Sequence, residues 1–167
     1  MRRLPRVFCA LLFVLGACTE HEQTPGRLSG TVVKVFDGDS MVVTTAGGEV
    51  EVRLGGIDAP EKDQPHSEVA RDALEDLVLS RQISIHVLDV DQYDRIVGRV
   101  YRTKDELNIN RTLVGEGHAW VYRRYAQDPE LAGLEEDARK ERLGLWDAPS
   151  DSIVPPWTWR KTHPRRN

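Results

Sequence analysis

Residues 30–54 read GTVVKVFDGDSMVVTTAGGEVEVRL. Three short runs rich in Val and Thr, at 30–36, 40–45 and 49–54, are separated by Asp37-Gly38-Asp39 and Ala46-Gly47-Gly48. β-Branched runs bounded by Gly and Asp clusters read as strands joined by tight turns. The third run alternates strictly, Val50 and Val52 against Glu51 and Arg53. Successive strand side chains point to opposite faces, so one face of this strand lies on a core and the other in water.

Working outward, residues 67–79 place Val69, Ala73, Leu74, Leu77 and Val78 at helical spacing, with Ser67 as the expected N-cap. Residues 81–90 and 96–102 are two further strands, joined through Asp91-Gln92-Tyr93-Asp94. Asn108 is placed to cap a helix through Ile109, Leu113 and Val114 that stops at Gly115 or Gly117. Asp128-Pro129 opens a last helix carrying Leu131, Leu134, Ala138 and Leu143, with Gly144 as its end. Five short strands with a helix after the third predict an α+β, mainly β fold. The expected architecture is a five-stranded OB-type Greek-key barrel with about three packed helices.

The chain has 167 residues, 40% hydrophobic and 30% charged. That composition excludes a collagen, a coiled coil and a multi-pass membrane protein, and it is too apolar for global disorder. Residues 1–17 combine three arginines with an apolar run, VFCALLFVLGA, of about eleven residues, where a membrane span needs roughly 20. A basic start and a short apolar stretch mark an export signal. Leu15-Gly16-Ala17-Cys18 resembles a bacterial lipobox, which implies lipidation of Cys18 and a membrane anchor; Thr19 after the cysteine leans toward the outer membrane. Cleavage near Ala17, releasing a soluble secreted protein, is the alternative. Only Cys9 and Cys18 exist, so the exported chain has no thiol for a disulfide, zinc or nucleophilic catalysis. The expected organisation is a signal at 1–17, a tether at 18–27, a domain at 28–147 and a Pro/Trp/Arg-rich tail at 148–167.

Four acids lie close to turns: Asp37 and Asp39 between the first two strands, and Asp58 and Glu61 after the third. Asp-Gly pairs are common turn formers, so Asp37-Gly38-Asp39 alone is weak. Loop carboxylates gathered by a barrel make a hard-oxygen site, which suits Ca²⁺ or Mg²⁺. Arg53 stands on the polar face of the third strand and Arg95 opens the fifth. Arginine presents a planar fork that matches phosphate oxygens. Acids, a hard cation and two arginines are the components that stabilise charge on a transferring phosphoryl group. For either arginine alone, an ion-pair partner for the local acids is the better reading.

The set VFDGDSMVV, VRLGGIDAPE, DQYDRIVGRV, LNINRTLVGEGHAWVY and ARKERLGLW resembles the staphylococcal nuclease family in order and spacing, over residues 30–146. The tail Pro155-Pro156-Trp157-Thr158-Trp159-Arg160 is similar to the ending of many bacterial members. The resemblance implies an OB barrel that hydrolyses DNA and/or RNA with a divalent cation, normally Ca²⁺. It implies that Asp39, Asp58 and the carbonyl of Ala59 hold the metal and that Glu61 is the general base. Arg53 and Arg95 would clamp the phosphate; Tyr93 and Tyr125 would contact substrate. Asp94 stands where the family has Gly, and its carboxylate is expected to compete for Arg95. A silent OB module that only binds nucleic acid or protein is the alternative from another class; retention of all five acids and arginines separates the two.

Nothing in the sequence demands a dimer. His66, His86 and His118 read as separate surface, strand and helix-end residues. Trp120, Tyr122 and Tyr125, with Arg123 and Arg124 between them, read as either a strand-stacking surface or core and rim residues. Formal net charge is −4, but it is uneven. Residues 28–90 carry 5 bases and 12 acids, 91–127 carry 7 and 5, 128–152 carry 3 and 8, and 153–167 carry 4 and none. A locally positive groove on an acidic body is expected, with salt-sensitive capture of substrate.

Overall fold

The computed structural model describes residues 26–164. In chain order the elements are β1 (Arg27–Asp37), β2 (Ser40–Thr45), β3 (Gly48–Leu54), β4 (Ile57–Asp58), α1 (Ser67–Val78), β5 (Gln82–Val90) and β6 (Ile96–Arg102). There follow β7 (Leu107–Asn108), α2 (Ile109–Gly115), β8 (Trp120–Val121), α3 (Glu130–Lys140), a 3₁₀ turn (Gly144–Asp147) and α4 (Pro156–Thr162). The expected export signal, Cys18 and most of the tether lie outside the described residues. No helix among the described residues is long and apolar enough to cross a membrane.

The strands run β3-β2-β1-β5-β6-β7, and parallel pairing of β3 with β6 closes the first five into a barrel. Val52 pairs with Ile96 and Leu54 with Gly98 at this seam. A Cβ on Gly98 would sit 2.5 Å from the Ile85 side chain and 3.0 Å from the His86 carbonyl, so glycine is required there by close approach. The barrel's inward residues, among them Val32, Met41, Val43, Val52, Ile83, Ile85 and Val100, are wholly buried. Leu74 and Val78 of α1, Ile109 and Leu113 of α2, and Leu131 of α3 complete the same core. Asn110, buried on α2, accepts from Val100 N (2.9 Å) and donates to the Gly55 carbonyl (2.9 Å), which ties the helix to the seam. A buried amide side chain used this way satisfies both of its polar ends.

The five-stranded barrel is as the sequence predicts, and Asn108 caps α2 by accepting from Arg111 N. Two helix ends differ. His66, not Ser67, occupies the N-cap of α1, in a left-handed conformation (φ 73°), and Ser67 Oγ instead donates to the Lys62 carbonyl. α3 stops at Lys140, short of Leu143 and Gly144, because Arg142 (φ 57°) and Gly144 (φ 52°) both turn left-handed. The segment after residue 147 also packs. Trp120, Ala138, Leu145 and Trp146 form a second apolar cluster that Ile153 and Trp157 cover. Its fourth helix, α4, carries Trp157 stacked on Tyr122 with centroids 5.7 Å apart and planes at 8°.

Candidate active site

The β1–β2 turn is pressed onto the rest of the site. A Cβ on Gly38 would lie 2.8 Å from the Cβ atoms of both Ala59 and Ala70, so only glycine lets the turn approach this closely. Asp39 follows it, with Oδ2 accepting from Ala59 N (2.8 Å) and Oδ1 from Ser40 Oγ (3.1 Å). Asp58 is fixed by β4, whose two residues pair with β8, Asp58 opposite Trp120. Both carboxylates are buried, at 3% and 1% exposure.

Arg53, on the polar face of β3, bridges them. Its Nη1 donates to Asp39 Oδ1 and its Nη2 to Asp58 Oδ1 at 2.9 Å. Glu61 is positioned through its backbone: its N–H donates to Gln64 Oε1 (3.1 Å), and Gln64 N donates back to the Glu61 carbonyl (2.8 Å). From the other side Arg160 of α4 reaches in. It donates to both oxygens of Asp58, at 3.2 and 2.8 Å, and to Glu61 Oε1 at 2.6 Å.

Burial sets the protonation tendency of two of these acids. Burial first, and then the neighbouring Asp39, push the Asp37 carboxyl up to about 6. Burial also raises Asp58 above the usual carboxylate range, although Arg160 and Arg53 pull the other way. Burial works against the charge on Arg53, but the carboxylates of Asp39 and Asp58 outweigh it and hold the guanidinium protonated. Two buried carboxylates bridged by one arginine are donors of the type that hard cations take. Asp39 and Asp58 offer the oxygen type a hard cation takes, and their oxygens here accept from Arg53, Arg160, Ser40 Oγ and Ala59 N. Among the described residues, no group of three or more His, Cys, Asp or Glu side chains forms a metal-holding cluster. Ala59 meets Asp39 through its amide N–H.

Arg95 lines the same cleft, of about 1660 Å³, together with Arg53, Glu61 and Arg160. Its carboxylate partners are Asp91, whose Oδ2 lies 2.8 Å from Nε and 2.7 Å from Nη2, and more distantly Glu51, 3.8 Å from Nη1, and not Asp94. Asp94 has φ 61°, a conformation that Gly, Asn and Asp adopt most readily, which explains the residue type at that position. Tyr93 and Tyr125 stand on the rim at 69% and 54% exposure, each with an arginine (Arg95, Arg124) over its ring. Trp120 is a core residue, and Tyr122 is half-buried beneath Trp157. The fold brings His66 and His118 together, against expectation: their rings stack at 5.3 Å with Nε2 and Nδ1 3.1 Å apart. His86 remains a strand residue, beside Arg27 and Tyr101.

Residues 51–148, more than half of the chain, match the family described as staphylococcal nuclease homologue. The chain belongs to the staphylococcal nuclease family. It is 41% identical over 134 residues to an uncharacterized endonuclease of Escherichia coli, covering 80% of this chain and 85% of that one. Over 144 residues it is 41% identical to protein ParB of Escherichia coli, covering 81% and 80%. Over 141 residues it is 38% identical to a micrococcal nuclease of Shigella flexneri, covering 79% and 80%. Arg160 lies outside residues 51–148; the sequence places it in the Pro-Pro-Trp-Thr-Trp-Arg tail, at the acid-free basic end of the chain, without marking it as a site residue.

Proposed function

We propose that this phosphodiester-hydrolysing nuclease of the staphylococcal nuclease family depends on a divalent cation, Ca²⁺ first, and cleaves DNA and/or RNA by in-line attack of water. The observation that supports this reading most is the convergence of Asp39, Arg53, Asp58 and Glu61, with Arg95 facing the same cleft. Asp39, Asp58 and the Ala59 carbonyl would hold the cation, which supplies Lewis-acid polarisation of a phosphoryl oxygen.

The remaining work falls to this chain's own side chains. Glu61 accepts a proton from the attacking water as the water oxygen bonds to phosphorus. The opposite P–O bond breaks, and its oxygen leaves with a proton from solvent. Arg53 and Arg95 donate to the equatorial oxygens, where negative charge grows in the five-coordinate transition state. Tyr93 and Tyr125 on the rim offer aromatic faces to bases, a contact that tolerates any sequence. The protein acts as a monomer at the cell envelope, anchored by a lipid on Cys18 and facing the periplasm from the outer membrane.

The test is incubation of the purified chain with single-stranded DNA or RNA and Ca²⁺, with and without chelator, beside Glu61→Gln and Arg53→Ala. Cleavage that stops with chelator, and falls by about 10²–10³-fold in each variant, is expected. Absence of chelator-sensitive cleavage in the parent sinks this reading and leaves a module that binds without cutting. Mass spectrometry of the exported chain tests the acyl group on Cys18.

A further inference from the structure

α4 carries into the cleft a guanidinium that belongs neither to the barrel nor to residues 51–148, which match the family. We propose that Arg160 is a third phosphate-binding arginine of this site, and that the C-terminal helix is thereby part of the substrate-binding apparatus. The inference rests on the nuclease reading above.

Position comes first. Arg160 Nη1 lies 2.6 Å from Glu61 Oε1. A general base works at about 2.6–3.2 Å from the water it activates. That water stands about 3–3.5 Å from the atom it attacks. A guanidinium bonded to the base's own carboxylate is therefore within a side-chain rotation of the oxygens on that phosphorus. Its side chain is 39% exposed, open to the cleft and not sealed into the core.

Anchoring is the second argument. A flexible tail would lose entropy each time it delivered a side chain, but α4 is held at several points. Trp157 stacks on Tyr122 and packs against the Trp120–Trp146 cluster, and Pro156 is buried. Gln64 ties the segment to the site directly, accepting from Glu61 N and donating to the Val154 carbonyl. The same amide thus sets both the base and the approach to the helix that carries Arg160.

Chemistry is the third. Arg160 already makes a two-pronged contact with a carboxylate, both nitrogens on both oxygens of Asp58. A phosphate offers the same paired-oxygen geometry with more charge. Asp58 Oδ1 is shared between Arg53 and Arg160, so two cations compete for one acceptor. Asp58 would be one of the residues holding a divalent cation, and a substrate phosphate would then take its place on the Arg160 fork. The acids hold the guanidinium in place until then.

A latch that merely blocks the cleft would make the same resting contacts, and the sign of one measurement separates the two. The full chain is titrated with a fluorescent phosphorothioate single-stranded oligonucleotide, which keeps its charges and resists hydrolysis, in Ca²⁺ across a salt series. Wild type is compared with Arg160→Gln, Arg160→Lys and, as a neighbour on the same helix, Lys161→Gln. Arg160→Gln is expected to weaken binding roughly 10-fold, as loss of a charged hydrogen-bond donor does. It should also flatten the slope of log affinity against log salt by about 0.7, the value of one phosphate contact on a single strand. Arg160→Lys restores the slope and only part of the affinity, while Lys161→Gln changes neither by as much. Equal or tighter binding by Arg160→Gln, with the slope unmoved, overturns the proposal and makes Arg160 a latch. Cleavage of unmodified DNA is followed in parallel. A parent that binds but never cuts would refute the nuclease reading, while the salt slope still reports on Arg160.

Discussion

Two clusters in this molecule use the same ingredients, buried aspartate and arginine, and reach opposite electrostatic ends. Beside α2 and α3, Asp128 is gripped by both Nε (2.6 Å) and Nη2 (2.9 Å) of Arg111 and also accepts from Glu130 N. The Arg111 hydrogen bond holds the Asp128 carboxyl below the usual range. Beside the cleft, Asp58 has two guanidiniums on it and is still pushed up by burial, as is Asp37. One cluster is a closed staple between elements. The other packs several acids together, where burial outweighs the two guanidiniums at Asp58 and the neighbouring Asp39 adds to burial at Asp37.

The largest expected contrast is in chemistry. Asp58→Asn removes an acid that both Arg53 and Arg160 contact, and cleavage should fall by about 10²–10³-fold in a steady-state assay, as for other lost charge-stabilising groups. Arg111→Lys, in the staple, should keep its kcat within a small factor. If the two variants lose activity alike, the cleft is not the seat of the reaction.

Cation binding should separate the clusters next. A ligand that binds only the folded state at a hundred times its Kd stabilises it by about 2.7 kcal/mol. Ca²⁺ should therefore raise the melting temperature of wild type by several degrees, and Asp39→Asn should abolish the rise. Asp128→Asn should melt lower than wild type in chelator yet keep its full Ca²⁺ increment. An increment that survives in Asp39→Asn places the cation elsewhere.

The staple has its own signature in pH. Because the folded-state pKa of Asp128 lies below the ordinary 3.8, its contribution is fully present above that value and lost as pH falls through the folded pKa. Asp128→Asn should cost about 1–3 kcal/mol near neutral pH by denaturant unfolding, and the gap to wild type should narrow in acid. A gap independent of pH would mean that packing at this site, and not the ion pair, holds α2 to α3.

How much of this was legible depended on the range over which each signal acts. Strand alternation, the Asp37-Gly38-Asp39 turn and the Asn108 cap are local, and β-branched runs with Gly-bounded turns display them directly. The grouping of Asp39, Arg53, Asp58 and Glu61 was readable through the resemblance of their motifs to the family, since each alone reads as a turn former or an ion-pair partner. Arg160 was not, since its contact with Glu61 spans 99 residues and depends on Trp157 meeting Tyr122, a packing event with no periodic trace. The His66–His118 pair, 52 residues apart, was hidden for the same reason. β4 and β8 are two residues each, too short to alternate, although their pairing is what holds Asp58 in place.

The smallest effect tests the boundary between the two kinds of cluster. Asp94 neighbours Arg95 in sequence, yet the partners of Arg95 are Asp91 and Glu51, and Asp94 sits at φ 61° because the turn demands a left-handed residue. Asp94→Gly relieves that conformation while making the unfolded chain more flexible, two effects of about 0.5–1 kcal/mol that oppose each other. Stability should therefore move by no more than about 0.5 kcal/mol in urea unfolding, within the range of ordinary surface changes. Cleavage should be equally indifferent, since an exposed carboxylate that makes no ion pair with Arg95 is screened by salt. A several-fold rise in kcat/KM at low salt that vanishes at high salt would show the reverse. Asp94 would then act on incoming phosphate through its field, and the acidic cluster of the cleft would extend one residue further along this loop than its contacts do.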